Sequence, residues 1–286
     1  MTIVRAVEMP QTDAVPGLRI EPLSAAIGAE IHGVDLAQNI DDGLFDAIHT
    51  ALMAYQVVFF REQTITAGQQ LALATRFGEP AYSKKLKMYD GYDNVSLLEN
   101  DGSKIVVGAV WHTDNTDYET PPWGSLLFAE VIPAIGGDTI WASMTAAYDG
   151  LSEGMKAHLD GLTALHDNAN IRRLYAGSGN LRDEGVVIDE PAQHPVVRTH
   201  PVTHRKGLFV NSAYTQRIAD VPDVESQHLL AMLFEHVAKP EFQVRFKWRP
   251  GSLAIWDNRC TQHYALDDYS ELRRMRRVQI VGDKPF

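Results

Sequence analysis

The sequence predicts a mainly β fold with flanking helices (α+β), a β-sandwich or jelly roll built as a single domain over residues 1–286. Three observations carry that expectation. Residues 242–248 alternate Phe242, Val244, Phe246 and Trp248 with Gln243, Arg245 and Lys247, the period-2 signature of a strand with one buried face. Short apolar, β-prone runs recur at 57–60, 125–128, 139–141, 253–256 and 275–281. No glycine-rich phosphate loop stands at a strand–helix junction, which argues against a nucleotide-binding α/β sheet.

Taken in order, residues 1–17 carry Pro10 and Pro16 with little pattern and read as a loose lead-in. Residues 18–36 mix apolar alternation with glycine, as short strands and turns do. Asp41 and Asp42 precede Leu44, Ile48 and Leu52 at helical spacing. Thr66 and Gln69 form a capping box for a second helix that stops near Gly78. Loop and strand follow over 80–110, with Lys84, Lys85 and the run Ile105-Val106-Val107. Gly136-Gly137-Asp138 turns the chain into the strand at Thr139, and 143–162 is mostly helical with breaks at Gly150 and Gly154. Residues 167–192, rich in glycine and charge, look like an irregular insertion of the kind that forms lids. Strand pattern returns over 196–210, and a helix from Asp223 carries Leu229, Leu230, Leu233 and Phe234 until Pro240 closes it.

Composition narrows the function. With 45% hydrophobic and 22% charged residues the chain is an ordinary globular protein. A net charge of −11, from 37 acidic against 26 basic residues, argues against nucleic-acid binding. One cysteine, Cys260, excludes an internal disulfide framework and is expected to be a buried small side chain. No apolar run suits a membrane span and no export signal opens the chain, so a cytoplasmic location is expected. A homo-oligomer, dimer or tetramer, is the expected assembly.

Chemistry points to Trp111-His112-Thr113-Asp114. On a strand, side chains at i and i+2 leave the same face, so His112 and Asp114 could grip one metal ion. A second His-x-Asp, His158 and Asp160, lies in a helical stretch where i and i+2 diverge, and is set aside. His263 is the natural third ligand, placed between two predicted strands, and completes a two-histidine, one-carboxylate facial triad. Most of the other ten histidines are expected at the surface or around the site. On the strand that follows, Arg273, Met275 and Arg277 share one face, and Arg274 and Arg276 the other. Two arginines aimed into a metal pocket suit two anionic ligands, although an edge strand with surface charge would show the same residues.

These residues resemble the taurine dioxygenase and aryloxyalkanoate dioxygenase (TauD/TfdA) family of iron(II)- and 2-oxoglutarate-dependent oxygenases. The likeness runs from Ile27-Gly28-Ala29-Glu30-Ile31 to Gly282-Asp283-Lys284-Pro285. Between them stand Gln56-Val57-Val58-Phe59-Phe60-Arg61, Arg76-Phe77-Gly78, the metal motif, Gly136-Gly137-Asp138-Thr139, Trp256-Asp257-Asn258-Arg259 and Thr261-Gln262-His263-Tyr264. The resemblance implies a double-stranded β-helix (a distorted, cupin-like jelly roll) with Fe(II) held by His112, Asp114 and His263. It also implies 2-oxoglutarate and dioxygen as cosubstrates, succinate and CO2 as products, and hydroxylation of a substrate C–H bond. Asp114 argues against the halogenating relatives, which lack this carboxylate.

By the same resemblance Thr139 and an arginine bind the distal carboxylate of 2-oxoglutarate. Counting forward from His263 selects Arg274, whereas the strand face and the match at Met275 favour Arg273. Arg277 then falls where the family binds the anionic group of its prime substrate. Where taurine dioxygenase offers a histidine and a tyrosine, this chain has Ser83 and Leu86, which speaks against taurine itself. Tyr214 falls where the family places a pocket aromatic, and Arg172 in the insertion is a candidate pocket cation. The segments 86–91 and 107–108 look more like the aryloxypropionate-type relatives. The expected partner is a small organic anion (sulfonate, alkyl sulfate or aryloxyalkanoate), ring-bearing or longer-chained rather than a short amino-sulfonate. A zinc-dependent hydrolase with the same ligands is one rival, with no evident use for the arginine pair or Thr139; a non-catalytic protein on the same scaffold is another, against which the intact triad argues.

Overall fold

The computed structural model describes residues 15–82, 86–102, 106, 108–175 and 190–286. The lead-in over 1–17 therefore lies almost wholly outside the described residues, as do Ser83, Lys84, Lys85, Ile105, Val107 and the middle of the 167–192 insertion.

Fifteen strands and six helices are present among the described residues. The strands are β1 (Arg19–Pro22), β2 (Ala29–His32), β3 (Val57–Phe60), β4 (Ser96–Asn100), β5 (Gly124–Val131), β6 (Thr139–Ser143), β7 (Thr163–His166), β8 (Ala192–Pro195), β9 (Val197–Thr199), β10 (Lys206–Leu208), β11 (Thr215–Ile218), β12 (Gln243–Phe246), β13 (Leu253–Asp257), β14 (Thr261–Ala265) and β15 (Arg273–Ile280). The helices are α1 (Asp42–Tyr55), α2 (Ala67–Phe77), α3 (Met144–Asp149), α4 (Glu153–Leu159), α5 (Ala169–Tyr175) and α6 (Asp223–Val237).

Two sheets face each other to make the jelly roll. The larger runs β1-β2-β3-β13-β5-β15-β4 and the smaller β12-β6-β14. The larger sheet is covered on both faces, which explains why β3 reads as an unbroken apolar run rather than an alternation. Its Val57 and Phe59 point inward with Leu127, Ala254, Trp256 and Met275, against Trp141, Val244 and Phe246 of the smaller sheet. Val58 and Phe60 point the other way, with Leu126, Ile255 and Val278, into a layer closed by Ile48 and Leu52 of α1 and Leu73 of α2. Burying a large apolar side chain contributes roughly 1.5–3 kcal/mol, so these two layers dominate the stability of the sandwich.

The helix starts match their sequence signals. Asp41 accepts from Leu44 N, and at α2 Thr66 and Gln69 make both bonds of the capping box. The break between α3 and α4 falls at Gly150, where α3 ends. Three expectations need correction. Gly154 does not break the helical stretch; it lies in the first turn of α4, which starts at its Ser152 cap. His263 lies within a strand, β14, rather than between strands. The stretch 167–192 is not irregular throughout, because it contains α5 and the start of β8. Both belong to a side layer in which β7, β8 and β11 form a three-stranded sheet beside α5.

Candidate active site

The pocket lies between the two sheets. Both inner faces line it: Leu98, Leu127, Trp256, Arg273 and Arg277 from the larger sheet, and Thr139, Trp141, His263 and Ala265 from the smaller. Leu86, Ile171 and Tyr214 close its side, and the loop through Gly108, His112, Asp114 and Asn115 forms its lip. About 850 Å³ of empty space lies within it, open solvent at the mouth included.

Pairing between distant segments builds the triad. His112 is not in a long strand; it forms an isolated antiparallel bridge with His263, with N···O distances of 3.1 and 2.8 Å. That bridge sets the two rings 4.1 Å apart between centroids. Asp114 Oδ1 lies 3.7 Å from His112 Nε2 and 3.8 Å from His263 Nε2. The three candidate ligand atoms fall within 4.8 Å of one another, and all three residues are buried.

Protonation states suit a divalent ion. Burial lowers the pKa of His112, and burial together with the neighbouring His112 ring holds His263 well below the ordinary histidine value. Both imidazoles are therefore neutral near pH 7. His112 Nδ1 lies 2.7 Å from the Val110 carbonyl, so it carries the proton and leaves a lone pair on Nε2. Burial pulls Asp114 upward, but Arg277 and the two histidines outweigh it and keep the carboxyl well below the usual range. Two neutral nitrogens and one anionic oxygen converging on a point make a donor set that fits Fe(II).

The strand-face expectation for the arginines holds in the geometry of β15. Arg273 is 6% exposed and donates from Nε to the Gly137 carbonyl at 3.2 Å. Its side chain also hydrogen-bonds the Tyr269 side chain, a neutral partner that leaves the buried positive charge without a carboxylate ion pair among the described residues. Gly137, at φ +71°, leaves the passage for that side chain, since a Cβ there would stand 3.2 Å from Arg273 Cδ. Thr139 Oγ1 accepts from Trp248 Nε1 at 2.9 Å, which leaves the hydroxyl hydrogen free to point into the pocket. Arg277 donates from Nη1 to Asp114 Oδ1 at 3.0 Å, and its buried Nε has no partner among the described residues.

Arg274 does not reach this place. It lies half-exposed on the outer face, paired with Glu99. Arg276 is buried on that same outer face, against Phe128 and Gln70. Arg172 is partly exposed on α5 and is not among the lining residues; Ile171 takes the pocket side instead. Leu86 and Tyr214 line the pocket, and Ser83 lies outside the described residues. Burial, with Asp117 and Asp114 nearby, keeps the Tyr214 hydroxyl protonated, well above its ordinary pKa. Sequence reasoning passed over Asn115, Trp141, Trp256 and Ile171 in the lining. Trp256 stands in the Trp256-Asp257-Asn258-Arg259 motif and Trp141 in the β-prone run 139–141, whereas nothing in the sequence marked Ile171.

A second buried group, His200, Asp257 and Cys260, also clusters within 4.8 Å. Its donors are already committed. Asp257 takes Arg259 at 2.9 and 2.6 Å and His200 Nε2 at 2.9 Å. His200 Nδ1 accepts the backbone N–H groups of Val202 and Thr203. This cluster pins the 257–260 turn that delivers β14. Three further histidines, His166, His194 and His236, are buried rather than superficial.

A facial triad at the mouth of a jelly roll, with a buried arginine and a threonine opposite, defines an iron- and 2-oxoglutarate-dependent oxygenase. The model of the taurine catabolism dioxygenase TauD, TfdA family matches residues 19–279, and the chain belongs to that family. It is 39% identical to an alpha-ketoglutarate-dependent sulfate ester dioxygenase of Pseudomonas putida, across 94% of this chain and 91% of that one. It is 34% identical to the (S)-phenoxypropionate/alpha-ketoglutarate-dioxygenase of Sphingobium herbicidovorans, across 94% and 96%. A crystal structure of a taurine dioxygenase from Burkholderia xenovorans superposes with a TM-score of 0.81 at 38% identity, covering 94% of this chain and 93% of that one. The chain is thus a dioxygenase that uses Fe(II), 2-oxoglutarate and O2, and its relatives act on small organic anions. Among the described residues no helix is long and apolar enough to cross a membrane.

Proposed function

We propose that this enzyme hydroxylates the carbon beside the anionic group of a small sulfate ester, with aryloxyalkanoates as the second substrate class. The observation that carries the proposal is the placement of Arg273 and Arg277 on one face of β15, both lining the pocket of the triad. A buried and a partly buried guanidinium in one pocket call for two anions, one of them the cosubstrate. In this proposal His112, Asp114 and His263 hold Fe(II), and Arg273 with the Thr139 hydroxyl binds the distal carboxylate of 2-oxoglutarate. Arg277 takes the anionic head of the prime substrate.

Fe(II), when bound, supplies the oxygen activation that side chains cannot. The chain's own residues bind, orient and exclude water. The Trp141 and Trp256 rings flank His263 at 6.2 and 5.0 Å and hold its face. Leu86, Ile171 and Tyr214 offer an apolar wall to a chain or ring carried by the substrate. Helix α5 closes part of that wall, since it brings Ile171 to it. Hydroxylating the carbon that bears a sulfate ester oxygen gives an unstable adduct, which loses sulfate and leaves an aldehyde. The sulfate ester class is preferred because the 39% relative acts on that class, while the 34% relative supports aryloxyalkanoates.

A succinate-release screen over alkyl sulfates, aryloxyalkanoates and sulfonates tests the proposal. Turnover that is highest with alkyl sulfates and yields inorganic sulfate is expected. Turnover confined to sulfonates would overturn the substrate assignment.

A further inference from the structure

We infer that Ser125 and Asn258 are positioning residues that hold Asp114 as a one-oxygen metal ligand and thereby set metal affinity without touching the metal. The inference rests on the proposal that Asp114 is an iron ligand. A carboxylate has two oxygens and can swing between one-oxygen and two-oxygen binding unless one of them is occupied. In this protein Oδ2 is occupied: Ser125 Oγ donates to it at 3.1 Å, and Asn258 Nδ2 stands 3.4 Å from both Oδ2 and Ser125 Oγ. Oδ1 faces the two histidines and accepts from Arg277 Nη1 at 3.0 Å.

The direction of these bonds is dictated by chemistry. Trp256 Nε1 can only donate, and it does so to Asn258 Oδ1 at 2.8 Å. The Asn258 amide must therefore present its NH2 to Ser125 and Asp114. The Ser125 hydroxyl accepts on one side and spends its hydrogen on Asp114. Trp256, Asn258 and Ser125 thus form a one-way chain of donors ending on the ligand carboxylate. All three are buried, at 1%, 2% and 0% exposure, so water cannot replace a lost member cheaply. Rigid elements carry them: Ser125 sits on β5 directly opposite Trp256 on β13. The Asn258 backbone N–H is fixed to the Trp123 carbonyl at 2.8 Å.

Mn(II) binding to the full-length protein, followed by the electron paramagnetic resonance signal of the free ion, tests the inference. Ser125→Ala and Asn258→Ala are each expected to raise the Mn(II) Kd about 10–100-fold. Ser125→Thr, which keeps the hydroxyl, should retain wild-type affinity. In an Asp114→Ala background Ser125→Ala should change the residual affinity no further, because it acts only through that carboxylate. Ser125→Ala removes a single oxygen, so it answers the question even if Asn258→Ala does not fold. A wild-type Kd in Ser125→Ala, or an equal loss in the Asp114→Ala background, overturns the inference. A wild-type protein that binds no Mn(II) overturns the metal site itself, and the inference with it.

Discussion

Arg277 and Asp114 are joined directly, Nη1 to Oδ1 at 3.0 Å. One carboxylate oxygen thus faces both the convergence point of the two histidines and the guanidinium proposed to hold the substrate anion. An anion seated on Arg277 can place only its first carbon or two beside the metal position. That proximity is the physical reason to expect oxidation next to the anionic head, since a reacting group must lie within about 3–3.5 Å of its partner.

The first prediction concerns that contact. Arg277→Ala should lower kcat/KM for the prime substrate about 10–150-fold, the equivalent of roughly 1.5–3 kcal/mol for a hydrogen bond to a charged group. The loss should fall mainly on substrate KM, with 2-oxoglutarate affinity retained. Steady-state kinetics with each cosubstrate varied in turn would check it, and a loss confined to 2-oxoglutarate would exchange the roles of the two arginines.

Arg273 and Arg274 differ in burial and should differ in consequence. Arg273→Ala is expected to weaken 2-oxoglutarate binding by at least about tenfold, since it removes a buried two-pronged contact. Arg274→Ala removes an exposed pair with Glu99, worth about 0–1 kcal/mol, and should leave cosubstrate binding unchanged. Isothermal titration with 2-oxoglutarate separates them.

Gly108 lies beside His112 at φ +94°, and a Cβ there would stand 3.2 Å from His112 Cε1. Gly108→Ala should therefore cost about 1–2 kcal/mol of stability from backbone strain. It should also displace the His112 ring and weaken metal binding. Chemical unfolding and Mn(II) titration report the two effects independently.

Asp257 controls acid stability. Burial would raise its pKa, but the Arg259 fork and His200 outweigh it and hold the folded-state carboxyl well below the usual range. The sign follows: a depressed carboxylate contributes stability above its unfolded value of about 3.9, and that contribution is lost as the pH falls. Asp257→Asn leaves Arg259 without its buried partner and should cost roughly 3–5 kcal/mol at pH 7. Denaturant melts across pH should show the gap to wild type narrowing below about pH 4.

Local chemistry made much of this legible in advance. The Thr66–Gln69 capping box, the unbroken run of β3 and the alternation at 242–248 depend on neighbours in sequence, and each appears as a recognisable element. The faces of β15 were likewise readable, because side-chain direction follows from parity alone. Other features had no local signal. β14 is largely polar yet buried, since its Gln262 and His263 face a helix and a pocket rather than a hydrophobic layer, so it carries no apolar alternation. β7, β8 and β11 are four residues each, and their histidines and threonines bond to one another and to the 115–118 loop. The bonds of Ser125 and Asn258 to Asp114 span 11 and 144 positions and exist only once β5 and β13 are paired.

In the proposed site His112, Asp114 and His263 hold Fe(II) in a form that accepts 2-oxoglutarate. Anaerobic titration of Fe(II) into the protein with 2-oxoglutarate, followed by visible absorption, tests it directly. A weak charge-transfer band that saturates at one iron per chain and is absent from Asp114→Ala is expected. No band in the wild type, or an undiminished band in Asp114→Ala, would contradict it.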